Sequence, residues 1–288
     1  MEIKTIKKEA SGYPEVLKEI QGAPKELFVL GNLDNSLFPG IAIVGTRKAT
    51  NAGVKTAERF AKEFALRGLT VISGLAMGID TAAHNGALDG GGKTVAVLGS
   101  PINKIYPAQN IGLAKEIIEN DGAVISEYAT EASSHKGSFP ARNRIISGLS
   151  TAVVVIESPE KSGSLITAGH AADQGRTVFV VPGDISNKNY AGSHALIRDG
   201  ATLVTSAEDV LEDLGFENSI AKPEIEIPGI NKYDIQIIEA IKTSGEPINA
   251  DAIIKTTKLN PQIVNASLAV LVINNVVAEE SGKYTLLA

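Results

Sequence analysis

Residues 41–74 of this 288-residue chain have the sequence IAIVGTRKATNAGVKTAERFAKEFALRGLTVISG, which predicts a strand, a helix and a second strand. Ile41–Gly45 and Thr70–Ser73 are apolar runs without polar alternation, as expected of parallel strands that are covered on both faces. Ala52–Arg67 lies between them and has the spacing of an amphipathic helix. This strand–helix–strand unit is the repeating element of a doubly wound α/β sheet.

Strand and helix patterns of the same kind follow one another to about residue 216. They predict one α/β domain over residues 41–216, built on a mostly parallel, doubly wound sheet. Residues 1–40 are interpreted as a short N-terminal leader. The later predicted strands are Thr94–Leu98, Ala123–Ser126, Ala152–Glu157, Thr177–Val181 and Ala201–Val204, and the later predicted helices are Ile111–Asn120, Leu165–Gln174 and Ala207–Leu214.

The C-terminal part of the chain has a different pattern. Residues 217–229 contain two prolines and no helical periodicity, which indicates a linker. Three predicted helices and a hairpin follow in residues 230–288 and indicate a small winged-helix module. Its third helix, Pro261–Asn274, has no lysine or arginine, whereas winged helices that bind duplex DNA present cations to the groove. We therefore interpret the module as an accessory or protein-contact unit.

The composition narrows the classes of function. A formal charge of -6 argues against a protein whose whole surface binds duplex DNA. With no cysteine, disulfides and thiolate metal sites are excluded, and no metal or cofactor is predicted. There is no signal-peptide pattern and no apolar run of membrane-spanning length, so a soluble cytoplasmic protein without membrane insertion is expected.

One cationic segment stands out against this acidic background. No acidic residue occurs between Glu131 and Glu157, and the stretch HKGSFPARNR at residues 135–144 lies inside that gap. Lysine and arginine neutralise phosphates, phenylalanine stacks on bases, and asparagine offers both a donor and an acceptor. The alternative is a solvated loop that leads into a helix at Asn143–Gly148, in which two arginines would diverge and at least one would be structural. The candidate nucleic-acid ligands here are Lys136, Phe139, Arg142, Asn143 and Arg144.

Further candidates follow the predicted strands, where an α/β sheet binds its ligands. Arg47 and Lys48 come after the first strand, and Ser73 and Gly74 end the second. SGSLITA at residues 162–168 combines hydroxyls and glycine before an apolar helix, which indicates an anion-binding turn and adds Ser162, Gly163, Ser164 and Thr167. Simple helix capping is the alternative at this turn, and an ordinary turn with an exposed arginine is the alternative at Arg47.

Tyr106 and His84 could each have a functional role, but a structural role is favoured for both. Tyr106 could stack on a base, yet Tyr106-Pro107 is also a common way to pin a turn, and the turn is favoured. His84 has no evident nucleophile beside it, so a histidine hydrogen-bonded inside the fold is favoured over a catalytic base.

In chain order, these segments resemble the family of the DNA-processing protein DprA, also called Smf. The resemblance spans roughly residues 13–215, and its two most specific blocks are FPARNRIISGLS and SGSLITA. The matching stretches are Val44–Arg47, Ser73–Asp80, Tyr106-Pro107, Ser126-Glu127, Phe139–Ser150, Ser162–Ala168 and Val180–Gly183.

The resemblance implies an extended Rossmann-like domain and a non-enzymatic factor of natural transformation. Such proteins hold incoming single-stranded DNA, act as homodimers, and help to load the recombinase RecA onto DNA coated by single-strand-binding protein. Arg47, Lys136 and Phe139 fall on positions that the family associates with its DNA pocket. Residues 142–144 and 162–164 lie in its signature blocks. The leader is too short for the helical N-terminal domain that many members carry, and only some members have the final module.

Two other functions remain open from the sequence. A nucleotide-processing enzyme of the phosphoribohydrolase type would use Asp80, His84 and Glu157, but such enzymes rely on a PGGxGTxxE block that SGSLITAGHAAD does not match. A duplex-binding regulator would use the winged helix, against which the uncharged third helix argues.

Overall fold

A computed structural model describes residues 2–132, 137–216, 232–274, 276–280 and 282–286. The chain divides into two compact units, residues 1–222 and 223–288. The predicted linker at residues 217–229 lies outside the described residues.

The first unit is built on a nine-stranded sheet with helices on both faces. Its strands are β1 (Lys4–Lys7), β2 (Glu26–Gly31), β3 (Gly40–Gly45), β4 (Val71–Ser73), β5 (Thr94–Leu98), β6 (Ala123–Ser126), β7 (Ser150–Ile156), β8 (Thr177–Val180) and β9 (Thr202–Leu203). Its helices are α1 (Glu15–Lys18), α2 (Asn51–Leu66), α3 (Ile79–Asp89), α4 (Ile111–Glu119), α5 (Ser138–Gly148), α6 (Gly163–Asp173), α7 (Ala191–Arg198) and α8 (Ala207–Asp213).

The strand order places a topological switch point beside β3. The order is β1-β2-β6-β5-β4-β3-β7-β8-β9, and all pairs from β6 to β9 are parallel. The chain moves from β3 outward to β6 and then returns to the other side of β3 with β7. In open α/β sheets, ligands bind outside the carboxyl ends of the strands at such a point. The predicted doubly wound, Rossmann-like sheet is confirmed.

Burial on both faces explains why the strands were recognisable. In β3, Ile41 and Ile43 pack in the core with α2 and α3, while Ala42 and Val44 pack in the opposite core with α5 and α6. Every second residue therefore enters a different apolar layer, and full burial of each such aliphatic side chain contributes roughly 1.5–3 kcal/mol. A continuous apolar run is the sequence consequence of this two-sided burial.

The N-terminal residues belong to the same sheet. β1 pairs antiparallel with β2, and β2 pairs antiparallel with β6, so two strands of the expected leader extend the sheet at one edge. Tyr13 and Leu17 are fully buried in one core layer, and the Tyr13 hydroxyl donates to the carbonyl oxygen of Pro24 at 2.8 Å. The expected boundary at residue 41 is wrong in this respect, because residues 4–40 supply sheet and core.

A glycine allows the close packing at the switch point. A Cβ atom on Gly45 would lie 1.9 Å from the carbonyl oxygen of Ile156 in β7 and 2.6 Å from Ile79 of α3. Only glycine lets β3 end this close to its neighbours. The backbone that follows, at Thr46 and Arg47, therefore emerges directly at the switch point.

The second unit consists of three helices and a small antiparallel sheet. Its core contains Ile237, Ile253, Leu268 and Leu271. The sheet order is β10-β12-β11, which agrees with the predicted hairpin, while the assignment to the winged-helix class stays a prediction. The elements are α9 (Lys232–Ser244), β10 (Ile248–Asn249), α10 (Ala250–Thr257), α11 (Pro261–Ile273), β11 (Val277–Glu280) and β12 (Lys283–Leu286).

Within the described residues, no helix has the length and apolar character needed to cross a membrane.

Candidate nucleic-acid interface

The carboxyl ends of four parallel strands surround one open pocket of about 860 Å³ in the first unit. Its walls come from the segments after β3, β4, β5 and β7 and from the helices α3, α5 and α6. The lining residues are Val44, Gly45, Thr46, Arg47, Ala76, Asp80, Ser100, Lys104, Ile105, Tyr106, Phe139, Pro140, Arg142, Asn143, Ile146, Pro159, Lys161, Ser162, Gly163, Ser164, Ile166 and Thr167. The sequence prediction that several strand ends share one site is therefore consistent with the geometry.

Arg47 and Phe139 lie against each other in this pocket. The Arg47 guanidinium carbon lies 5.8 Å from the centroid of the Phe139 ring, within the range of a cation–π contact. Tyr106 also contacts Phe139, with its ring centroid 5.5 Å from that of Phe139 and an interplanar angle of 55°. A cation and two aromatic rings thus form one continuous surface, which can contact both a phosphate and a base.

The first turn of α6 supplies hydroxyl groups to the same pocket. Ser162 caps the helix, and its Oγ accepts a hydrogen bond from the Ser164 amide at 3.3 Å. The Ser164 Oγ also contacts the Ser162 Oγ at 2.7 Å and the Ser158 Oγ at 2.9 Å. Ser162 therefore caps the helix, as the alternative has it, while Ser162, Gly163 and Ser164 all line the pocket, and anion binding at this turn stays a prediction. Thr167, one turn later, also lines it.

Arg142 reaches the pocket but is mainly a buried structural residue. Only 4% of its surface is exposed. Its Nη1 donates to the carbonyl oxygens of Val97 and Gly74, the latter at 2.8 Å. Burial lowers the pKa of Arg142 to about 10 against the opposing effect of the nearby Asp80 carboxylate. The guanidinium thus joins the ends of β4 and β5 to α5.

Arg144 points away from the pocket. Its Nη2 lies 2.6 Å from the Glu127 Oε2, its Nη1 lies 3.0 Å from the Oε1, and its Nε donates to the carbonyl oxygen of Gly22. It lines a separate cleft with Glu19, His170 and Arg176. Arg142 and Arg144 both lie in α5, which starts at Ser138. Side chains two positions apart in a helix differ in direction by about 200°, so the two arginines point to different sides. The expectation that Arg144 belongs to the pocket is wrong.

Asn143 stands between these arginines in the chain and tethers the two helices that flank the pocket. Its Nδ2 donates to the carbonyl oxygen of Gly163 at 3.1 Å, so α5 is joined to the start of α6. Its side chain also lines the pocket. Asn143 is therefore both a pocket residue and a positioning residue for the turn after β7.

Three further candidates lie outside the pocket lining. Ser73 is fully buried and its Oγ donates to the carbonyl oxygen of Ile43 at 2.7 Å, so it joins β4 to β3. Gly74 packs against Arg142, since a Cβ there would lie 2.6 Å from the guanidinium. Lys48 is exposed beside the pocket without lining it. Lys136 lies outside the described residues.

Two cations and one aromatic ring that the sequence analysis did not select as candidate ligands also line the pocket. Lys104 and Lys161 are exposed and line the pocket from the segments after β5 and β7. Tyr106 is 54% exposed and also lines the pocket, which a residue that only pins a turn does not require. The signal available was position: both lysines come a few residues after a predicted strand, where ligands bind.

The residues proposed for an enzymatic alternative do not converge. Asp80 lines the pocket, where its Oδ2 accepts from the amides of Gly74 and Ala76 at 3.1 and 3.3 Å. Burial raises the pKa of the Asp80 carboxyl, against the effect of Arg142. Glu157 is buried outside the pocket lining, and its Oε2 accepts from the Thr50 amide at the start of α2. His84 is also buried outside that lining.

The tautomer of His84 follows from its partner. The Thr94 hydroxyl donates to the carbonyl oxygen of Val71, so the His84 Nδ1 must be the donor in its 2.7 Å contact with the Thr94 Oγ1. The Nε2 atom is then unprotonated, and it is buried with no hydrogen-bond partner among the residues that the structure describes. Burial lowers the pKa of His84 to about 3.

We expect this histidine to make the protein acid-sensitive. The unfolded chain protonates His84 near pH 6.5 and the folded chain only near pH 3, so stability is lost as the pH falls below about 6.5. The His84 contribution approaches 1.4 kcal/mol per pH unit within that window. Urea unfolding of the wild type and of His84→Gln at pH 7.5, 6.0 and 5.0 measures it. The substitution should flatten the pH dependence, and equal slopes would contradict this assignment.

Fold and pocket together define an α/β protein of the Rossmann-like class whose switch-point pocket combines cations with aromatic rings. The sequence model of the family described as DNA recombination-mediator protein A matches residues 4–215, and the chain belongs to this family.

Individual relatives agree with this membership. The DNA processing protein DprA of Streptococcus pneumoniae is 47% identical over 204 residues, which cover 71% of this chain and 72% of that protein. The Smf protein of Escherichia coli is 42% identical over 221 residues, which cover 74% of this chain but only 59% of that longer relative.

Two solved structures share the fold of the first unit. DprA from S. pneumoniae superposes with a TM-score of 0.68 at 44% identity and covers 73% of this chain and 74% of its own. DNA processing protein A from Helicobacter pylori superposes with a TM-score of 0.66 at 28% identity and covers 75% of this chain and 96% of its own. The latter structure is described in terms of its single-stranded DNA binding mode.

Proposed function

We propose that the switch-point pocket binds single-stranded DNA without sequence preference and that the chain acts as a recombination mediator. The observation that carries this proposal is the contact of Arg47, Phe139 and Tyr106 inside one pocket that Lys104 and Lys161 also line. Exposed bases of a single strand stack on aromatic rings regardless of sequence, and the cations neutralise the phosphates between them.

Charge distribution supports a local rather than a general DNA surface. The chain carries 33 acidic against 27 basic residues, yet the exposed charged side chains that line the pocket are all cations: Arg47, Lys104 and Lys161. None of the three forms an ion pair with another described residue. Cations without partners remain available for phosphates and do not have to break an existing pair.

The wider role follows from family membership and is part of the same proposal. The chain holds DNA taken up in natural transformation in the cytoplasm, without altering it chemically. It works as a homodimer and delivers the strand to RecA in the presence of single-strand-binding protein. The structure of the H. pylori relative is described in terms of its single-stranded DNA binding mode and covers 75% of this chain, which supports DNA binding by this chain.

The second unit is proposed to be a winged-helix accessory module joined through a linker at residues 217–229. Residues 230–288 carry five lysines against six acidic residues. The exposed residues of α11, such as Gln262, Asn265 and Ala269, are uncharged. This composition does not favour a duplex-binding helix.

The salt dependence of binding tests the proposal. If at least three cations contact phosphates, log Kd for a labelled oligo-dT should change with log salt by a slope of about 2, from roughly 0.7 per phosphate. Duplex of equal length should bind more weakly. Glutamine substitution of Lys255, Lys258 and Lys283 in the second unit should leave the salt slope and the preference for the single strand unchanged. A salt-independent complex, a preference for duplex, or loss of binding in the triple variant would each contradict the proposal.

A further inference from the structure

The geometry points to Tyr106 as a second base-stacking residue, with Lys104 and Lys161 as phosphate contacts on either side, so that the strand crosses the pocket from the segment after β5 to the segment after β7. This inference rests on the proposed function. It adds the course of the DNA strand across the pocket and a second stacking position for a base. Its evidence comes from the exposure of Tyr106, the positions of the two lysines and the strand order.

Tyr106 is far more exposed than a tyrosine that has a purely structural role in this fold. Tyr13 shows how this fold uses a structural tyrosine: the ring is fully buried and the hydroxyl donates to a carbonyl oxygen. Tyr106 is 54% exposed, and its hydroxyl has no hydrogen-bond partner among the described residues. A large aromatic side chain left in solvent at the mouth of a pocket is typical of a binding residue.

The two rings are placed to hold two different bases. Their centroids are 5.5 Å apart and their planes are inclined by 55°, so the two rings are not stacked face to face on each other. Arg47 lies over the Phe139 ring, at 5.8 Å from its centroid, whereas no described residue places a cation over the Tyr106 ring. Each ring therefore offers its own stacking surface, and the two surfaces are close enough for neighbouring bases of one strand.

The strand order sets the direction of the path. Arg47 follows β3, Lys104 follows β5 and Lys161 follows β7, and β4 and β3 lie between β5 and β7. Three strand spacings separate β5 from β7, which is about 14 Å. In this order, the strand before Arg47 lies between the strands that precede the two lysines. A DNA strand that contacts all three cations therefore crosses the carboxyl ends of the β-strands, where both rings also line the pocket.

A double-mutant cycle on Tyr106 and Phe139 tests the inference. With labelled oligo-dT, Tyr106→Ala should weaken binding roughly 5- to 150-fold, and Tyr106→Phe should bind like the wild type. If each ring holds its own base, the combined variant should bind clearly more weakly than either single variant, although the two effects should not add fully because the rings touch. If Tyr106 merely supports Phe139, the combined variant will bind no more weakly than Phe139→Ala, and this result would overturn the inference.

Further variants separate the inference from the proposed function and from misfolding. Tyr106→Leu keeps apolar bulk beside Phe139 but loses the stacking face, so it should also weaken binding while leaving the thermal unfolding midpoint unchanged. Lys104→Gln and Lys161→Gln should each lower the salt slope by about 0.7. Lys115→Gln, which changes an exposed lysine of α4, should not.

A wild type that does not bind oligo-dT would refute the proposed function itself. Normal binding by Tyr106→Leu, or unchanged salt slopes in both lysine variants, would refute only this inference.

Discussion

Replacing Arg142 with methionine is expected to destabilise the first unit by about 3–5 kcal/mol. Methionine fills similar space but donates no hydrogen bond, so the carbonyl oxygens of Gly74 and Val97 would lose their donor inside the protein. The Asp80 carboxyl would also lose the nearby positive charge that opposes the rise in its pKa. An uncompensated buried polar group costs more than the net stabilisation from the hydrogen bond itself.

Urea unfolding measures this loss, and Arg47→Met is the matched control. Arg47 is exposed, so the same change of side chain there should alter the free energy of unfolding by no more than about 0.5 kcal/mol while it weakens DNA binding. Arg142→Lys keeps the positive charge but loses the planar guanidinium group, so the stability of this variant should lie between those of Arg142→Met and Arg47→Met. If Arg142→Met unfolds like the wild type and instead loses only DNA affinity, Arg142 is a DNA ligand and our assignment is wrong.

The contrast among Arg47, Arg142 and Arg144 shows what the sequence could not resolve. All three occur in segments that the sequence marks as cationic, but one is exposed, one is buried between two strand ends and one pairs with Glu127. Residue type and spacing predict a cation, whereas its environment depends on where the helix begins. The predicted helix began at Asn143 and the observed helix begins at Ser138, which changes the direction of every side chain in between.

The sheet was more predictable than the site because its signal is local. Strands buried on both faces leave continuous apolar runs, and seven of the nine strands of the first unit were expected close to their observed bounds. β1 has the sequence KTIK and is mostly exposed at the sheet edge, so it carries no such run. Lys104 and Lys161 are 57 positions apart in the chain, and only the parallel strand order brings them to one pocket.

The second large effect is expected from the combined substitution of Arg47→Gln and Phe139→Ala. Removing a stacking ring costs roughly 1–3 kcal/mol per base, and removing a charged phosphate contact costs roughly 1.5–3 kcal/mol. Because the two side chains touch, their effects should not add fully. We expect a total loss of about 2–4 kcal/mol, or roughly 30- to 1,000-fold in Kd.

Two comparisons make this prediction specific to the pocket. Phe139→Leu keeps apolar bulk beside Gly99, so a loss of affinity there reflects the missing ring face and not a change in packing. Lys115→Gln removes an exposed positive charge from α4, outside the pocket lining, and should reduce affinity little. Circular dichroism and thermal unfolding of each variant establish that the fold is retained.

A titration of labelled oligo-dT and of duplex with the wild type and the Arg47→Gln, Phe139→Ala variant tests the central claim most directly. Our account predicts preferential binding of the single strand by the wild type and its loss by at least roughly 30-fold in a variant that remains folded. Equal affinity of the folded variant and the wild type for oligo-dT would show that the strand binds elsewhere, and would contradict the account.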